Sequence, residues 1–152
     1  MTTLTRTLTV IPLLLLAGFM AGQQGEKNLI KSFNTGGKNL LAFELPGPVE
    51  VKTWDNTTVR IELTLALPNS NGGTLDELIR LGRYNLVSSL NGEIFTVNSP
   101  NSARKLSIKG QELKENLSYV ISVPKTALVK VNGQEIIGGE SAYILPPSGK
   151  QK

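Results

Sequence analysis

The run Val59–Leu67 constrains this chain more than any other stretch. Val59, Ile61, Leu63, Leu65 and Leu67 alternate with Arg60, Glu62, Thr64 and Ala66. A strand turns successive side chains to opposite faces, so this order specifies a sheet with one buried and one wet side. A helix would scatter the same apolar residues around its circumference. Just upstream, Val49 and Val51 alternate with Glu50 and Lys52, and the polar stretch Asp55–Thr58 turns the chain between the two runs. If the runs pair with each other, Glu50 and Glu62 lie on adjacent strands, on the polar face beside Lys52 and Arg60.

The same reading extends along the chain. Met1–Gly22 has one early positive charge, Arg6, then an apolar stretch ending in Ala21 and Gly22. That is the make-up of a secretory signal peptide, and its apolar part is shorter than the roughly 20 residues that span a bilayer comfortably. Residues 23–32 read as a linker that passes into a short strand near Leu29–Asn34. Leu40–Leu45 reads as a strand stopped by Pro46-Gly47-Pro48. After Leu67, Thr74-Leu75-Asp76-Glu77 has the form of a capping box, predicting a short helix over Leu75–Leu81 that Gly82 stops. Tyr84–Ser89 and Glu93–Asn98 flank Leu90-Asn91-Gly92, a hairpin signal. Lys105–Gly110 reads as a short strand, and Leu117, Tyr119, Ile121 and Val123 alternate up to Pro124. Leu128–Val131 reads as the last secure strand. Residues 132–152 form an extension in which Glu135–Ile137 and Ala142–Leu145 are able to pair, followed by a mobile tail. The expected organisation is a signal peptide (1–22), a linker (23–32), a β domain (33–131) and a C-terminal extension and tail (132–152).

Composition removes several kinds of chemistry. The chain contains neither histidine nor cysteine. Ser-His-Asp catalysis, thiol nucleophiles, histidine-bearing metal sites and lipid attachment to a cysteine are therefore closed to it. No glycine-rich stretch has the spacing of a phosphate loop, and Asp55-Asn56 is too sparse for a calcium cage. The net charge of +4, from 16 basic and 12 acidic residues, is scattered. No cofactor, no metal and no nucleic-acid partner is expected. Carboxylate-only catalysis would need two acids a few ångströms apart, and Glu50 with Glu62 is the pair to test. Trp54 is the one candidate ligand contact: strand parity places it with Glu50 and Lys52, while its position at a turn suits closure of the core edge.

The segments LPGPVEVKTWDNTTVRIE, GRYNLVSSLNGEIFTV and KGQELKENLSYVISVPKTALVKV resemble the bacterial exported putative-adhesin family of unknown function, which is related to head-GIN-type proteins. The matching positions are Val49, Val51, Trp54, Asp55 and Val59, then Leu117, Tyr119, Ile121, Val123, Pro124 and Lys125. The resemblance covers about Phe33–Val131. It implies an all-β fold, a short right-handed β-helix or β-roll-like domain with one short helix inserted and truncated at its C-terminal end. An antiparallel β-sandwich is the alternative. The implied role is adhesion or binding at the cell envelope without enzymatic activity, with an envelope protein or a glycan as partner. Self-association through exposed strand edges is the second reading, and a carbohydrate-active enzyme using carboxylates alone is a remoter third. The mature chain is expected in the periplasm or at the cell surface, neither lipid-anchored nor membrane-spanning once its leader is removed.

Overall fold

The computed structural model describes residues 25–136 and 142–145; the expected leader and tail lie outside them. In chain order the strands are β1 (Gly25–Asn34), β2 (Leu40–Glu44), β3 (Val49–Trp54) and β4 (Thr58–Leu67). The helix α1 (Gly72–Arg80) follows, then β5 (Val87–Asn91), β6 (Ile94–Asn98), β7 (Ser107–Ile108) and β8 (Gln111–Glu112). The last four are β9 (Asn116–Pro124), β10 (Leu128–Val131), β11 (Gln134–Ile136) and β12 (Ala142–Ile144). Because β1 begins at Gly25, most of the stretch expected to be linker is strand.

Two five-stranded sheets result, with orders β1-β4-β9-β3-β12 and β11-β10-β2-β6-β5. The apolar alternation of Val59–Leu67 is realised in full, all five residues being buried. They share one core with Val49, Val51, Tyr119, Ile121 and Val123 of the first sheet and with Leu41, Phe43, Phe95, Val97, Val129 and Val131 of the second. Phe33 on β1 meets Phe95 on β6 edge to face, ring centroids 6.3 Å apart, which ties the layers at one side. The chain is all-β with one short helix, and its sheets are open at both edges.

The hairpin of β3 with β4 does not form. β9 lies between them, parallel to β3 and antiparallel to β4. A single residue, Val120, is therefore the register partner of both Glu50 and Glu62. The two acids sit two strand spacings apart, roughly 9–10 Å, and each pairs with its own neighbour: Glu50 with Lys52 at 3.3 Å and Glu62 with Arg60 at 3.1 Å. Nor does the strand order confirm a β-helix. β2, β6 and β10 run parallel, but antiparallel β5 and β11 flank them, and the result is a sandwich-like pair of mixed sheets rather than a wholly antiparallel one.

Local chemistry explains two smaller departures. The helix starts at Gly72 because Asn71, not Thr74, is its cap: Asn71 Oδ1 accepts from Thr74 N at 3.0 Å. Glu77 then reaches forward to Arg80 instead of back to Thr74. In the β5–β6 hairpin Gly92 takes the first central position, with φ of 61°, while Asn91 stays in the strand. The Asn-Gly turn with positive φ at both residues is Asn132-Gly133, between β10 and β11.

Leu63 is buried opposite Tyr119, whereas Glu62 points to the wetter face. Leu63→Ala should cost on the order of 2–5 kcal/mol in a denaturant titration, and Glu62→Ala within about 0.5 kcal/mol. Equal losses at the two positions would contradict this register.

Candidate functional site

The strongest concentration of polar groups forms at the end of the sandwich where β2 and β6 finish and β3 and β9 begin. The chain crosses between sheets there through Leu45–Pro48. Gly47 has φ of 146°, and a Cβ on it would come within 2.6 Å of the Leu117 carbonyl oxygen, so this corner requires glycine. Asn132 braces the same corner, accepting from Leu45 N at 3.0 Å and donating to Leu45 O at 3.1 Å.

Facing the corner is the loop after β6, and Arg83 holds it. Its Nη1 donates to Asn101 O at 2.8 Å and its Nη2 to Arg104 O at 2.7 Å. The same guanidinium grips Glu115 in a two-point pair, Nε to Oε1 at 2.8 Å and Nη2 to Oε2 at 2.6 Å. Tyr84 adds a hydroxyl donated to Glu115 Oε1 at 2.7 Å. The Arg83 and Glu115 side chains are only 9% and 11% exposed, so their attraction is little screened. Burial first, and then the Glu115 carboxylate, pushes the Tyr84 phenol well above its ordinary range.

Beneath this clamp Ser99 and Ser102 are buried with their hydroxyls hydrogen-bonded to each other. The Tyr119 hydroxyl is enclosed close to both serines, yet it makes a well-formed hydrogen bond to neither. Burial pushes its pKa up to about 12, with the two serine hydroxyls acting in the opposite direction.

Between the corner and the clamped loop runs an open groove of about 960 Å³, lined by Glu44, Pro46, Gly47, Asn98, Ser99 and Ala103 among others. Pro46 and Ala103 also border a second hollow of about 450 Å³, towards Arg104, Lys105 and Lys114. Asn98 Oδ1 is enclosed at the groove without a hydrogen-bond partner among the described residues. A separate apolar row crosses the outer face of the second sheet, where Leu128, Leu40 and Ile94 lie side by side in register and are exposed.

Trp54 lies at the other end of β3, in register with Pro124. Its ring is half-buried, and its Nε1 donates across the turn to Thr58 O at 2.9 Å. The neighbouring Asp55 pairs with Lys125 at 2.6 Å. The structure thus separates Trp54 from the groove and ties its polar edge to the β3–β4 turn. Sequence reasoning missed Arg83 and Glu115, which lie 32 residues apart, and read Ser99 with Ser102 only as loop. The only hint was an Arg-Tyr pair directly after the helix-stopping Gly82. Among the described residues no three potential metal-ligating side chains cluster, and no helix is long and apolar enough to cross a membrane.

No family model matches the chain, and no curated protein matches it. Among solved structures it is similar to a crystal structure of a putative cell adhesion protein from Clostridium sporogenes, with 7% identity and a TM-score of 0.38 over 70% of this chain. The chain spans 45% of that protein.

The Tyr119 phenol allows a test with a definite sign. Its folded pKa of about 12 exceeds the ordinary 10.0, so the native state holds this proton more tightly than the unfolded chain does. The resulting stabilisation, on the order of 2–3 kcal/mol, is whole below the unfolded pKa and is lost as pH rises through the folded one. Between about pH 9 and about pH 11.5 wild type should lose more stability than Tyr119→Phe in denaturant titrations. Equal losses would show that this hydroxyl is not enclosed in solution.

Proposed function

We propose that this chain is an exported, non-enzymatic β domain that binds an envelope protein or a glycan at the bacterial cell surface or in the periplasm. The groove between Pro46 and Ala103 is its contact site. The observation that carries this reading is the Arg83–Glu115–Tyr84 clamp, whose polar groups bond to the loop and to each other. The groove therefore presents a fixed wall on the side of Asn98, Ser99 and Ala103. A wall already held in place lowers the ordering cost of binding. The export reading rests on the leader-like Met1–Gly22, and the adhesion reading on the resemblance of the strand motifs.

Ala103 is exposed and borders both hollows, so Ala103→Arg obstructs the groove without touching the core. On a glycan array and in pull-downs from envelope fractions, wild type should be retained unchanged on its partner. Ala103→Arg should lose at least about tenfold in affinity, roughly 1.4 kcal/mol, at an unaltered melting temperature. Conversion of a retained glycan to product would instead establish an enzyme.

A further inference from the structure

The β5 edge of the second sheet, Val87-Ser88-Ser89-Leu90-Asn91, is five residues long, uncharged and exposed throughout. By contrast β1, at an edge of the first sheet, carries Glu26, Lys27 and Lys31. Lys27 pairs with Asp76 of the helix, and Lys31 Nζ donates to Leu86 O at 2.8 Å, so α1 and the segment before β5 attend that edge. At its other edge the second sheet ends in the three-residue β11, where Glu135 pairs with Lys130. Natural edge strands are commonly blunted by lysine, proline or a bulge. β5 has neither of the first two.

Its pairing with β6 fixes which backbone groups remain free. The two-residue turn Gly92-Glu93 makes Asn91 and Ile94 a hydrogen-bonded pair, and alternation makes Ser89–Thr96 and Val87–Asn98 the next such pairs. The amides and carbonyls of Ser88 and Leu90 therefore point away from β6. None of them has a hydrogen-bond partner among the described residues. Two residues apart on one strand, they match themselves: a two-fold axis through Ser89 places Ser88 opposite Leu90 of a second copy, and Leu90 opposite its Ser88. Each such pair exchanges two hydrogen bonds, four in all.

We infer that β5 is a self-pairing edge through which two copies of this chain join antiparallel about Ser89, making one continuous ten-stranded sheet from two five-stranded ones. The occupant is a second copy because the strand is complementary to itself. No like charges meet, and Val87 falls opposite Asn91. Leu90, 57% exposed on the side shared with the buried Phe95, lies diagonally beside the other Leu90 and covers it. Five residues of edge span only about 17 Å, which suits reversible, concentration-dependent association rather than a permanent dimer. The inference does not depend on the groove being a binding site.

Crosslinking and sedimentation of the full chain test it. The protein has no cysteine, so a single introduced thiol reports one contact. Ser89 would face Ser89 across the axis as a non-hydrogen-bonded pair, about 4.5 Å between Cα atoms, within disulfide reach. Ser89→Cys should crosslink to a dimer under mild oxidation, and Lys27→Cys at the other sheet's edge should stay monomeric. Sedimentation of wild type should show dimer growing with concentration. Ser89→Lys, which sets two lysines face to face, should shift that association at least tenfold weaker with an unchanged melting temperature. A wild type monomeric throughout, a Ser89→Lys variant that associates as before, or equal crosslinking at both cysteines would overturn the inference. A strand captured from another protein would appear as a heterodimer in place of the dimer, and would overturn it too.

Discussion

The insertion of β9 between β3 and β4 is the constraint on which the rest of the structure depends. As a central strand it is hydrogen-bonded on both sides, parallel to β3 and antiparallel to β4. Its apolar face, Tyr119, Ile121 and Val123, is buried against the opposite sheet's Leu41, Phe43, Val97 and Val129 in one core. The connection onward to β10 then places a strand beside β2 in the second sheet. One strand thus sets the register of its own sheet and positions the chain for the other. Truncating its buried side chains would remove contacts in both layers at once.

The polar end of the sandwich follows from the same placement. Because β9 begins beneath the β2–β3 corner, Glu115 arrives next to Arg83 and Tyr84, and Tyr119 arrives beneath Ser99 and Ser102. A buried ion pair is weak evidence of net stability, since desolvation offsets much of its attraction. What this pair achieves is geometric: a guanidinium with two loop carbonyls and a carboxylate in its fork fixes the loop after β6. The groove wall is the product.

Much of the β architecture was legible because alternation is a local signal. Val59–Leu67, Leu117–Val123 and Leu128–Val131 are strands as their periodicity requires, and Gly82 stops the helix with φ of 75°. Partner choice was not legible. Alternation says which face of a strand is buried but not which strand lies beside it, so β9 offers the same apolar face whether β3 and β4 pair directly or flank it. Turn and cap chemistry failed where two good candidates competed: Asn71 outdid Thr74 as a cap, and Gly92 rather than Asn91 took the strained position. Trp54 kept the face its parity assigned, half-buried, and its role in the turn came from a bond to Thr58 that no spacing rule encodes. The clamp was invisible for a related reason, since Arg83 and Glu115 meet only through tertiary structure.

Native-state hydrogen exchange, resolved by residue, measures this dependence directly. If β9 is the strand that joins the fold, the amides of Tyr119, Ile121 and Val123 should exchange only through global unfolding, with free energies equal to that from denaturant titration. At concentrations where the chain is monomeric, amides on the outer edge of β5 should exchange through far smaller openings. Release of the β9 amides by a local opening, while β4 and β1 stay protected, would contradict the account.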